Sequence, residues 1–330
     1  MRSNTASIDG VTMQKAEMIG LGIMSAAAAL AARAAVTRTR GAPRYARRLR
    51  VAVAGFPAHL DAARKLNQSS ALLALSVLAD SGLEHYRGSF ENRAMYTPLV
   101  VSLLSLGAGV HGGMDSTPAA HRARDAIYLT AAATGLIGNT FHLYNILKRP
   151  GGFGWSNLFY AAPIGAPIAM LLSGALGAAA ERLRDEPARE PRLGGMPAGR
   201  ALALLASAGL IGTVGEAALL HFRGAFHNPA MYAPVAIPPT AAALLAHAAL
   251  AEPQRKRWFT RMWLRCTAVV GFAGVGFHTF GVARNMGGWR NWSQIIFSGP
   301  PLPAPPSFTA LALAGLAALG LREGEADDRS

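Results

Sequence analysis

Histidines, carboxylates and arginines recur in this sequence at a single offset. His85 and His221 lie 136 residues apart, as do His142 and His278, Asp80 and Glu216, and Arg87 and Arg223. Imidazoles paired on facing helices suit haem b, whose iron takes two axial nitrogens. A quinone site uses similar parts: a histidine or arginine on a carbonyl, a carboxylate that passes protons, and aromatic walls. Tyr96, Phe90 and Trp155, with Tyr232, Phe226 and Trp292, would supply those walls. The candidate cofactor-binding groups are therefore His85, His142, His221, His278, Arg87, Arg223, Tyr96 and Tyr232. The four histidines are also the candidate haem-iron ligands, and Asp80 and Glu216 are the candidate catalytic acids. Each acid precedes its arginine by seven residues, two helical turns or roughly 10 Å, so a water or polar ligand would have to link them.

Two stretches carry most of this pattern. "HYRGSFENRAMYTP" (85–98) and "HFRGAFHNPAMYAP" (221–234) agree at nine of fourteen positions. A structural turn explains part of the wording: glycine permits a bend, asparagine caps, and proline opens the next helix. Headgroup preference explains another part, since His, Tyr, Trp and Arg gather at membrane surfaces by their amphipathic shape. That interfacial reading also suits His111 and His247, a further pair at the same offset but at the opposite helix ends. The register continues through "TFHLYNILKRPGG" (140–152) and "GFHTFGVARNMGG" (276–288). After a one-residue shift, "WSN" (155–157) meets "WSQ" (292–294) and Pro163 meets Pro300. Chance does not hold register over such a distance, so the sequence reads as an internal duplication.

The elements that must position these groups are long apolar helices. The chain is 51% hydrophobic and 15% charged, too apolar for an ordinary soluble protein of 330 residues. Apolar runs fall at 18–36, 69–86, 97–112, 126–147, 159–180, 201–222, 231–251, 262–282 and 307–321. Most are long enough to cross a bilayer and lack a polar face at helical spacing. The sequence predicts an all-α integral membrane protein of about nine transmembrane helices: two parallel four-helix repeats and one extra N-terminal helix. The corresponding segments are an N-terminal helix with a basic cytoplasmic linker (1–68), a first repeat (69–182), a second repeat (201–322) and a C-terminal tail (323–330). The linker's "RTRGAPRYARRLR" would lie on anionic headgroups. "SGALGAAA" (173–180) would allow close helix packing.

Charge sets the orientation. Of the 32 lysines and arginines, 23 fall in loops on one side and nine on the other. The richer side is cytoplasmic by the positive-inside rule. The N-terminus is then outside, the C-terminus inside, and the repeated motif faces outward from a bacterial-type inner membrane. The net charge of +14 needs no nucleic acid, because the basic residues are dispersed over loops without interleaved aromatics. A lone cysteine, Cys266, excludes an intrachain disulfide and a cluster held by this chain's thiolates. Motifs of soluble hydrolases, phosphate-binding loops and zinc proteases are missing.

These features predict a membrane redox subunit that exchanges electrons between quinone, directly or through haem b, and an extracytoplasmic partner oxidoreductase. The alternative is a proton- or metal-coupled transporter, to which intramembrane acids also belong; against it, no run is expected to carry a Gly/Pro break at mid-helix. The duplicated four-helix plan resembles, in architecture alone, the membrane subunits that anchor molybdenum oxidoreductases and bind quinone. That resemblance carries no residue across.

Overall fold

The computed structural model describes residues 57–160, 164–185, 191–254 and 256–328. The expected first span, 18–36, and most of the basic linker lie outside the described residues. What is described is helical apart from one small hairpin, β1 (Arg192–Leu193) with β2 (Met196–Pro197). Eight long helices form the bundle: α1 (Ala58–Arg87), α2 (Thr97–Met114), α3 (Arg122–Leu147), α5 (Gly165–Asp185), α6 (Ala198–Arg223), α7 (Ala233–Leu250), α8 (Trp258–Arg284) and α10 (Pro306–Asp328). Two short ones, α4 (Trp155–Tyr160) and α9 (Trp292–Ser298), precede α5 and α10. Four segments are long and apolar enough to cross a membrane: Arg93–Met114, Ala198–Arg223, Pro229–Leu250 and Trp258–Arg284.

Helix α1 packs on α2, α5 and α10, while α10 also packs on α6 and α8. The main core joins Leu66 and Leu73 of α1, Leu176 of α5, Leu202 and Leu210 of α6, Leu245 of α7 and Leu311 of α10. Around it, the large apolar side chains point outward. Leu136, Ile137 and Phe141 of α3 and Val269, Phe272 and Phe280 of α8 are all more than half exposed. A water-soluble surface does not carry such patches; a lipid-facing one does. The interior adds small and polar residues to those leucines. Ser70, Ser105 and Ser173 hydrogen-bond one another at 3.0–3.1 Å across α1, α2 and α5. Helices α3 and α5 approach so closely that a Cβ at Gly174 would strike the Ala132 backbone, and one at Gly135 the Leu171 backbone. Gly174 of "SGALGAAA" thus serves the close packing expected of small residues.

Boundaries differ from expectation at both ends. Helix α1 starts at Ala58 rather than 69, because its polar first turns find partners: Asp61 pairs with Lys65 at 2.5 Å, and Arg64 Nε donates to Gly113 O at 3.1 Å. Helix α10 runs on to Asp328 through the expected tail, where Glu323 and Glu325 bind Arg261 and Arg322. The expected absence of a Gly/Pro break meets a proline pair, Pro238-Pro239, inside α7, which stays helical through it.

Local geometry repeats at the sequence offset. The one-turn helix Arg93–Tyr96 recurs as Pro229–Tyr232, and the Arg64–Gly113 bond recurs as Arg200 Nε to Ala249 O at 2.9 Å. Gly151 and Gly152 have φ of 89° and 56°, and Gly287 and Gly288 of 85° and 49°. These are left-handed values that glycine adopts without a Cβ penalty.

Candidate functional site

The repeated motif folds into the same turn in both places. At the end of α1, His85 Nδ1 lies 2.6 Å from Met95 O. In the second copy, His221 Nδ1 lies 2.8 Å from Met231 O. A carbonyl oxygen only accepts, so each Nδ1 carries the proton and each Nε2 keeps its lone pair in the neutral ring. Phe90 stands edge-on to His85 and stacks on Tyr96 at 4.4 Å; Phe226 does the same between His221 and Tyr232, at 4.7 Å. Asn92 and Asn228 accept from the backbone of Ala94 and Ala230, both at 2.9 Å, as capping residues do. Pro98 and Pro234 open the next helices.

Glycine's part in the turn is not the expected one. Gly88 and Gly224 have φ of −82° and −81°, open to any residue. The left-handed positions are the next two in each copy: Ser89 and Phe90 at 53° and 48°, Ala225 and Phe226 at 55° and 47°. The glycines supply room instead, since a Cβ would meet the Met95 or Met231 methyl at 3.2 or 3.1 Å. Two consecutive non-glycine residues in this region cost about 1–2 kcal/mol each, and the stacked aromatic pairs and histidine bonds hold them there.

The two acids converge from different helices. Asp80 of α1 lies within electrostatic range of Glu216 of α6 and of Glu84. The Glu216 carboxylate hydrogen-bonds the Gly165 backbone at the start of α5. A Cβ at Gly165 would overlap that carboxylate. Nothing in the sequence signals this glycine. His278 Nδ1 lies 2.7 Å from Pro301 O, which gives this ring the same tautomer, and it lies within electrostatic range of His221. His142 is half-buried near the end of α3 and is engaged by the surrounding structure.

Both arginines have partners near the helix ends. Arg87 pairs with Glu84 at 2.8 Å, a partner at i−3 spacing on its own helix. Arg223 lies 5.4 Å from the ring centroid of Tyr160 on α4. Tyr86 likewise stacks on Phe297 of α9 at 5.2 Å, so each short helix touches the end of a long helix from the other half of the chain. Trp155 is exposed, and the Trp292 side chain lies outside what is described. Among the described residues, no group of three or more His, Cys, Asp or Glu side chains is placed to hold a metal ion; a haem iron would need only two.

A second polar cluster sits at the opposite end of the bundle, around His111. Glu181 of α5 accepts two bonds from Arg124 at 2.9 Å and one from the His121 backbone at 2.8 Å. Arg124 also meets Asp115 at 2.8 Å and His111 Nδ1 at 3.0 Å. Arg184 donates to the carbonyls of Gly112, Thr117 and Asp115 at 2.6–3.0 Å. Tyr128 donates to Asn67, which leans on Glu181. Burial by itself would raise the Asp115 carboxyl. The Thr117 backbone and hydroxyl, then Arg124 and Arg184, outweigh it and hold the group well below the usual carboxylate range. His111 is therefore part of a charged clasp rather than a lone interfacial ring. His247, at the matching position, is exposed.

No protein-family model, curated protein or solved structure matches this chain.

Proposed function

We propose that this protein is a nine-span subunit of a bacterial-type inner membrane, built from two parallel four-helix repeats with the N-terminus outside and the C-terminus inside. It exchanges electrons between quinone and an extracytoplasmic oxidoreductase subunit. The observation that carries the reading is the Nδ1-to-carbonyl bond of His85, His221 and His278. Each bond aims an unprotonated Nε2 away from the backbone. Such a nitrogen accepts from a quinol hydroxyl, and the quinol's two electrons leave for the partner as its two protons leave for histidine and water. Asp80 and Glu216, drawn together beneath the histidines, are the groups that pass protons onward. Arg87 and Arg223 act at the rim, on Glu84 and Tyr160.

The test compares quinol with quinone. An Nε2 acceptor meets a hydroxyl but not a carbonyl, so a short-chain quinol should bind the purified protein more tightly than its quinone. His221→Ala and His278→Ala should remove most of that difference. Equal binding of both forms, unaffected by either variant, would overturn the reading.

The same tautomer suits haem b, because a metal-ligating imidazole characteristically donates its other N–H to a carbonyl. His85 with His142, and His221 with His278, are the ligand pairs. Protein from a haem-replete host should then show a Soret band and, on reduction, a sharp α-band, half of it lost in His278→Ala. A proton- or metal-coupled transporter is the rival, and substrate uptake into vesicles without added quinone would favour it.

A further inference from the structure

One groove is lined by none of the histidines. It is about 590 Å³, between α7 and the first half of α8, lined by Ile237, Trp258, Arg261, Met262, Arg265, Cys266, Val269 and Val270. Its walls are apolar except at the end near the start of α8. There Arg261 is held by Glu323 through two bonds of 2.8 and 2.5 Å, which offsets its charge. Arg265 is exposed, and no hydrogen bond or ion pair reaches it among the described residues. It sits seven residues into α8, roughly 10 Å along the axis. Helical side chains lean toward the N-terminus, so its guanidinium is directed toward the end of the groove that carries Trp258, which is 69% exposed. An arginine and a tryptophan at one end of a lipid-facing groove mark the headgroup region. At the matching place in the first half stands Leu129, so this charge belongs to the second half alone.

We infer that this groove binds one anionic phospholipid of the cytoplasmic leaflet: Arg265 takes the phosphate, Trp258 the glycerol level, and an acyl chain lies along Met262, Val269 and Ile237. The inference rests on the membrane reading but not on the redox one. Charge complementarity selects the occupant. A zwitterionic lipid satisfies the apolar wall as well, but only a net negative headgroup balances an uncompensated arginine.

Cys266, the chain's lone cysteine, is exposed in the groove and serves as a reporter. The full-length protein is labelled there with bimane and reconstituted into vesicles containing brominated-chain phosphatidylglycerol or phosphatidylcholine. Bromine in the bound chain quenches the label. Phosphatidylglycerol should compete roughly fivefold better than phosphatidylcholine, as for one basic residue at an anionic surface. Arg265→Gln should bring the ratio to about one, while the distant Arg290→Gln keeps it. Native mass spectrometry of unlabelled protein should show the same lipid preference, lost only in Arg265→Gln. Equal quenching by both lipids overturns the site. So does displacement by soluble glycerol phosphate, which would make it a plain anion site. Failure of the protein to float with the vesicles overturns the membrane reading and the site with it.

Discussion

Replacing Glu181 by glutamine keeps the shape of the clasp and removes one charge. Glu181 is 1% exposed, Arg184 1% and Arg124 2%. The four charges Glu181, Asp115, Arg124 and Arg184 balance. Glutamine leaves one positive charge in excess, enclosed where water does not reach it, and its amide turns a donor toward Arg124 or the His121 N–H. Breaking a buried pair from one side costs about 3–5 kcal/mol, because the remaining charge is uncompensated. For a chain of this size that is a fall in melting temperature on the order of 10 °C. The comparison variant is Glu323→Gln, which breaks an ion pair of similar length whose side chains are 26% and 17% exposed. Water reaches that pair, so its loss should cost about 1 kcal/mol. Heating both variants in detergent, with the remaining monodisperse protein read by size-exclusion chromatography, gives the two shifts. Equal shifts, or a Glu181→Gln protein as stable as the parent, would refute the argument that burial makes this clasp expensive to break.

Other outcomes follow from the same geometry. Ser89→Gly or Ala225→Gly relieves a left-handed residue, and after the added unfolded-chain entropy should stabilise by about 0.5–1 kcal/mol, read as a small rise in melting temperature; a loss of stability would mean that the side chain, not the backbone, is needed there. Asp115→Asn should destabilise at neutral pH. Because the folded carboxyl is held low, its contribution is full above the unfolded value near 4 and shrinks as pH falls from there toward the lower folded value, so the gap between parent and variant melting temperatures should narrow progressively below about pH 4. Gly174→Ala should cost at least about 1–3 kcal/mol through overpacking, while Gly107→Ala, with open space around its Cβ, should be neutral or mildly stabilising in the same melting assay. In a Cys266→Ala background, a cysteine at Ser89 or Ala225 should react with an impermeant reagent from outside and one at Gly195 should not; the opposite pattern would invert the topology.

The helices and the repeated turn were legible in the sequence because their causes are local. Apolar runs exclude water over a helix length, and an asparagine caps, or a proline opens, the very segment that contains it. The offset of 136 residues was visible for the same reason: the turn from His85 to Pro98 makes its bonds within itself, so its wording must be kept for its shape to be kept. What the sequence did not reveal was which side chains meet across the bundle. Arg87 stands two turns from Asp80 on the same helix, too far for a direct pair, and takes Glu84, one turn away. Glu216 takes the backbone of Gly165, a group with no side chain to announce it. The clasp of Glu181 with Arg124 and Arg184 joins residues 57 apart in one case and three in the other, and only the packing of α3 against α5 puts the carboxylate and both guanidinium groups in one water-free place. Within a helix, spacing sets neighbours. Between helices, packing sets them, and it depends on every small residue along the contact at once.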